Sequence, residues 1–145
     1  MRKLATSALV LGLAFGTVAH AEGPNKLVTI LTAPEAQTQL MAMVLTMNAM
    51  AGGAEAEMLL CGPAGDIALK EAPASATAGQ PPKDACPQGL IKMMMEKNGL
   101  KVHVCAIYLP GKGADATVLL DGVTAAAPDA MGAAIVASGT SVMSF

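Results

Sequence analysis

Aromatic side chains are nearly missing from this 145-residue sequence, which has no Trp, one Tyr and two Phe. A core built without them must be filled by Ala, Val, Leu, Ile and Met. It packs through small side chains and leaves little bulk to line a large aromatic pocket for a drug-sized ligand. Arginine is as scarce: Arg2 stands alone. Without arginine a chain lacks the planar fork most used to grip phosphate and carboxylate, which argues against nucleotide or phosphate handling. Neither Gly62-Pro63-Ala64-Gly65 nor Pro110-Gly111-Lys112-Gly113 has the spacing of a phosphate loop or a dinucleotide fingerprint, so both are strand-exit turns. There is no Cys-x-x-Cys pair of the zinc-binding kind. After the first 21 residues no stretch approaches the roughly 20 uninterrupted apolar residues of a membrane span.

What is present begins with a leader. Arg2 and Lys3 form a basic start, Leu4 to Val18 an apolar run, and Ala19-His20-Ala21 a small-x-small cleavage site. This pattern is a secretory signal peptide over residues 1–21, and it predicts an exported, soluble, periplasmic protein starting near Glu22. Residues 22–145 suffice for one domain with one core and are too few for two. Taking Arg2 and Lys3 from the nine basic residues leaves seven against 11 acidic ones, a net charge near −4 that argues against nucleic acid as a partner.

The domain reads as alternating strands and helices. Asn25 to Leu31 is a β-branched apolar run of the kind buried on both faces of a parallel sheet. Thr32-Ala33-Pro34-Glu35 supplies a helix start with Thr32 as N-cap, and Gly52-Gly53 a stop. Between them Ala36, Leu40, Met43, Val44 and Met47 repeat at helical spacing as a methionine-rich core face. Glu55 to Cys61 is a second strand. From Glu71 to Pro87 the composition turns to Ala, Pro, Ser, Thr and Gly, a structureless surface loop that carries Cys86 near its end. A helix over Gln88–Asn98 leads to a central strand over Lys101–Tyr108. Then come a turn, a short helix ending near Asp121-Gly122, a brief strand at Val123-Thr124, a helix from Pro128 to about Ala137 and a strand over Thr140–Phe145. The order predicts an α/β fold, a three-layer α/β/α domain with a mainly parallel sheet of about five strands.

In such sheets ligands bind outside the carboxyl ends of the strands. Cys61 and Cys105 both belong to that edge, and the loop bearing Cys86 leaves from it. Three cysteines are an odd number, so in an oxidising compartment at least one is left over. A Cys61–Cys86 disulfide would close a 25-residue loop, worth about 3 kcal/mol in the chain-entropy model, and leave Cys105 free. A Cys86–Cys105 bond would make the loop a redox-sensitive lid. The sequence leaves the pairing open among three connectivities and the fully reduced state. Cys105, at a strand end beside a glycine-containing turn and a helix start, is the candidate nucleophile, where backbone N–H groups favour a thiolate. His103 shares its strand face but stands about 6.5–7 Å away along the strand, beyond a direct hydrogen bond. It is a supporting residue, not a base.

Asn98-Gly99-Leu100-Lys101-Val102-His103-Val104-Cys105, Gly111 or Gly113, Leu119-Leu120-Asp121-Gly122-Val123, Ala130 to Ala137 and Val142 to Phe145 follow one another as helix stop, strand with terminal cysteine, turn, short helix, Gly-Val pair, helix and strand. In this the chain resembles the DsrE/DsrF-like family of small sulfur-handling proteins. The first half agrees more loosely through its strand, its Met/Ala-rich helix and the Cys61-Gly62 exit. Tyr108 stands where some relatives place a second cysteine or an arginine-rich turn. The resemblance implies a three-layer domain assembling as a homo-oligomer, trimer or hexamer. It also implies a sulfur relay in which Cys105 carries sulfane sulfur as a persulfide, exchanged with donor and acceptor protein thiols, with no cofactor and no resident metal. Such a protein is a carrier more than a turnover enzyme. Export turns the role away from tRNA thiolation and towards extracytoplasmic sulfur-compound oxidation.

Two other functions compete. Cys105, Cys61, Cys86, His103 and Met side chains could hold Cu(I), which thiolate and thioether ligands select. Most methionines fall on buried helical stripes as core filler, so off-face Met41 and Met95 are the ones to watch. The other alternative is an oligomeric interaction protein with structural cysteines.

Overall fold

A computed structural model describes residues 25–145; the leader expected over 1–21 lies outside the described residues. The chain runs β1 (Lys26–Leu31), α1 (Ala36–Ala51), β2 (Glu55–Leu60), a 3₁₀ turn (Gly62–Ala68), α2 (Ala74–Thr77), α3 (Pro87–Asn98) and β3 (Lys101–Val104). It continues through α4 (Tyr108–Lys112), a 3₁₀ turn (Ala116–Val118), β4 (Thr124–Ala125), α5 (Pro128–Val136) and β5 (Thr140–Ser144). The five strands form one sheet in the order β4-β3-β2-β1-β5, and every neighbouring pair is parallel.

That order dictates the layers. Steps from β1 to β2 and from β2 to β3 run the same way across the sheet, and right-handed crossovers put their helices, α1 and α3, on one face. The step from β4 to β5 returns in the opposite direction, so α5 crosses the other face. The packing follows. Met43 of α1 and Ile91 and Met94 of α3 bury with Leu27, Leu31, Met58, Leu60, Val102 and Val104. Met131 of α5 buries with Val28 and Leu59 on the reverse side. Alternate residues of β1 thus feed two cores, which is why its sequence shows no polar alternation. The three-layer α/β/α architecture is the one expected from the sequence.

Local structure differs from the sequence reading in five places. Helix α1 begins at Ala36 with Glu35 as its N-cap residue. Thr32, expected to cap it, instead donates its hydroxyl to the Phe145 carbonyl at 2.8 Å. The buried side of α1 is Gln39, Ala42, Met43 and Thr46, and Val44 faces outward. The apolar spacing misplaced the stripe because two polar residues are satisfied inside it. Gln39 donates to the Ala33 carbonyl at 2.8 Å. The Thr46 hydroxyl donates to the Ala42 carbonyl at 2.8 Å and receives from the buried Thr29 hydroxyl at 2.7 Å.

The central strand stops at Val104, not Tyr108. The Cys105 carbonyl accepts from the Tyr108 amide at 2.9 Å, and that turn starts α4. Gly113, in the left-handed region at φ 62°, ends it, so a separate 3₁₀ turn replaces the longer helix expected up to Asp121. The stretch from 71 to 87 is not structureless. It contains α2, whose Ala76 is buried, and a bridge between Gln80 and Ala85.

Candidate functional site at the carboxyl edge of the sheet

Strands β2 and β3 are neighbours with Leu60 paired to Val104, so the next residue on each, Cys61 and Cys105, continue the same register. The Cys105 amide donates to the Leu60 carbonyl and the Cys61 amide to the Leu31 carbonyl, each at 2.9 Å. Backbone hydrogen bonding therefore fixes both cysteines before any sulfur chemistry. Their Cα atoms lie 5.1 Å apart, within disulfide range, and the two sulfurs are bonded across a sequence separation of 44. Of the pairings the sequence left open, this is the one that bonds two strand ends. Cys86 is the free cysteine among the described residues.

The disulfide forms part of the wall of an open cavity of about 460 Å³, shared with Gly62, Pro63, Asp66, Ile107, Tyr108, Gly111 and Lys112. Each strand exit contributes one charged residue: Asp66 comes from the turn after β2, and Lys112 from α4 after β3. The Tyr108 hydroxyl donates to Asp66 Oδ1 at 2.6 Å, and Lys112 Nζ reaches the same oxygen at 2.6 Å. The ammonium also stands 5.4 Å from the centroid of the Tyr108 ring, within cation–π reach. Gly65 makes this packing possible, because a Cβ there would overlap the tyrosine ring. At the mouth, Ile107 is 81% exposed.

The electrostatics follow from the contacts. Burial pulls the Asp66 carboxyl upward, but the hydrogen bonds from Lys112 and Tyr108 and the lysine charge outweigh it and hold the group below its ordinary value. Tyr108 moves the other way: burial, then the hydrogen bond to Asp66 and the carboxylate charge, push its hydroxyl well above the usual range. At neutral pH the cavity therefore presents a neutral phenol, an anchored carboxylate and an ammonium beside the disulfide.

The other residues singled out in the sequence lie elsewhere. His103 Nδ1 is engaged with the Thr124 hydroxyl at 2.8 Å, between β3 and β4, and does not line this cavity. Cys86 is the N-cap residue of α3, its sulfur accepting from the Gly89 amide at 3.4 Å. No residue between 67 and 104 lines the cavity, so the loop expected to shield Cys105 does not form its wall. That loop lies against α3 and the Gly62–Ala68 turn. Among the described residues no three His, Cys, Asp or Glu side chains gather as a metal-holding group. The sequence reading missed Asp66 and Lys112. The available signal was that each exit turn following a cysteine-ended strand carries one charge close behind it.

No protein-family model matches the chain, and no curated protein matches it. Solved structures do. The fold is similar to that of a protein of unknown function, MTH1491 from Methanobacterium thermoautotrophicum, with a TM-score of 0.61 at 13% identity, covering 83% of this chain and 98% of that one. It is equally similar to the ychN protein of E. coli, with a TM-score of 0.61 at 15% identity, covering 83% and 99%. At these identities the likeness is one of fold, and it extends over nearly the whole length of both neighbours.

Proposed function

We propose that this chain is a DsrE/DsrF-like sulfur-relay protein that carries sulfane sulfur on Cys105 in the periplasm. The observation that carries this reading is the position of Cys105. It follows directly on a parallel strand at the carboxyl edge of a three-layer α/β/α sheet and lines an open cavity. The fold shared with MTH1491 and ychN supports it, as does the strand-cysteine-turn pattern of the sequence. A cysteine-to-cysteine bond suits an oxidising compartment, in line with the leader pattern at the start of the chain.

In the transfer step the Cys105 thiolate attacks the outer sulfur of a donor protein's persulfide. One sulfur–sulfur bond forms as another breaks, the donor leaves as a thiolate, and Cys105 holds the persulfide. An acceptor thiolate removes the sulfur by the same exchange. Partners are thus protein thiols, and the working form has Cys105 reduced. A homo-oligomer, trimer or hexamer, is part of the proposal. Its support is α1, sixteen residues without one charge, whose Met41, Val44 and Leu45 stay exposed.

Intact-mass measurement after reduction and exposure to polysulfide tests the carrier. The wild-type protein gains sulfur that maps to Cys105, and Cys105→Ala does not. Equal uptake by the variant overturns it. A second reading, an oligomeric interaction protein with structural cysteines, is favoured by the disulfide itself. Under that reading Cys61 and Cys105 stay inert to mild reduction and alkylation in the native protein. Under the carrier reading they are labelled.

A further inference from the structure

We infer that Cys61 is the resolving thiol of the site, and that the Cys61–Cys105 disulfide is itself an acceptor for hydrosulfide. This rests on the carrier reading, because it takes Cys105 as the sulfur that holds the cargo. Three observations lead to it. The disulfide joins the ends of β2 and β3, which the hydrogen bond from the Cys105 amide to the Leu60 carbonyl already holds together, so it adds no new pairing to the sheet. Neither cysteine is buried in the core; both are half-buried and line the same cavity. The Lys112 ammonium stands on that wall paired with the Asp66 carboxylate at 2.6 Å, so hydrosulfide meets a charge-balanced pair and not a bare carboxylate.

The step balances without any added oxidant. Hydrosulfide attacks Cys105 Sγ, a bond forms between Cys105 Sγ and the incoming sulfur, and the Cys61–Cys105 bond breaks with its electron pair leaving on Cys61 as a thiolate. The incoming sulfur keeps its proton and becomes the outer sulfur of a Cys105 persulfide. Sulfide has been oxidised to the sulfane level and the disulfide reduced. In reverse, the Cys61 thiolate attacks Cys105 Sγ, expels hydrosulfide and restores the disulfide. The site then has two routes in and out, a partner thiol or free sulfide, and Cys61 selects the second.

The test has two arms. In the first, oxidised wild-type protein is treated with sodium sulfide under anaerobic conditions, alkylated and mapped by peptide mass. The expected result is a labelled Cys61 and one extra sulfur on Cys105. An unopened disulfide, or the extra sulfur on Cys61, overturns the inference. In the second, reduced wild type, Cys61→Ser and Cys61→Ala are loaded with polysulfide. All three gain sulfur on Cys105; once the polysulfide is removed, wild type loses its persulfide, releasing one sulfide for each disulfide formed, and both variants retain it. If wild type keeps its persulfide as long as the variants and forms no disulfide, the resolving role falls while the carrier stands. If none of the three loads on Cys105, the carrier reading falls and this inference falls with it. The first arm needs no variant, so a poorly folding substitution leaves the inference open to refutation.

Discussion

Tyr108 donates its hydroxyl to Asp66 at 2.6 Å across two strand-exit turns, tying the segment after β2 to the segment after β3 on the cavity wall. The chain's single tyrosine is thereby committed to the candidate site.

This pair sets two pH limits. Asp66 is held below its ordinary value of 3.8, so the folded state binds its proton less readily than the unfolded chain. Its contribution to stability is complete above that value and disappears as pH falls through the lowered one. Tyr108 is raised above its ordinary value of 10.0, so its contribution is complete below that pH and is lost as pH climbs through the raised value. Tyr108→Phe should remove this contribution to the alkaline limb, shift the Asp66 carboxyl upward and cost about 1.5–3 kcal/mol at neutral pH, as expected for a hydrogen bond to a charged group. Urea midpoints measured across pH, with NMR titration of the carboxyl, check all three outcomes.

Reducing the disulfide should lower stability without changing the fold. Closing a loop between residues 44 apart is worth about 4 kcal/mol in the chain-entropy model. Chemical denaturation with and without reductant should differ by up to that amount. The circular dichroism of the two folded forms should superimpose, because the strand pairing at the edge is made by backbone hydrogen bonds.

Gly65→Ala places a methyl group where the Tyr108 ring lies. The ring must move, at a cost of about 1–3 kcal/mol for overpacking. Tyr108→Ala in the same chain should remove most of the added penalty of Gly65→Ala. A double-mutant cycle in denaturant midpoints measures the coupling.

The buried threonine pair should respond asymmetrically. Thr29→Val leaves Thr46 bonded to the Ala42 carbonyl, so the loss is small. Thr46→Val leaves the fully buried Thr29 hydroxyl without that partner, at about 1–3 kcal/mol. The double valine variant should be more stable than Thr46→Val alone. Denaturation curves of wild type and the three variants decide it.

Cys61 and Cys105 were legible as cysteines near strand ends on one edge, because Cys61 is followed directly by Gly62-Pro63 and Cys105 lies late in an apolar run that ends at Pro110-Gly111. Their bond was not legible. It depends on β2 and β3 being neighbours and in register, and strand order is set by long-range packing that local pattern does not encode. Lys112 was read as part of an ordinary turn, and Asp66 drew no reading at all, for a related reason. Taking the central strand as far as Tyr108 put the tyrosine on the wrong element, and only α4 beginning at Tyr108 brings its hydroxyl to Asp66. On α1 the helical period was right and the phase was wrong. Hydrophobicity alone does not anticipate that Gln39 and Thr46 go inward with their hydrogen bonds satisfied.

The Cys105 amide that donates to Leu60 sits directly beside the sulfur–sulfur bond. With the sulfurs joined, the two strand ends are held at the sulfurs as well as at the backbone, and that amide proton should exchange slowly. With the bond broken, the same pair can fray as a local fluctuation of low free energy. Oxidation state is thus transcribed into backbone mobility at the rim. A partner that docks against the exit turns could distinguish an oxidised molecule from a reduced one by how stiff its edge is, without touching either sulfur.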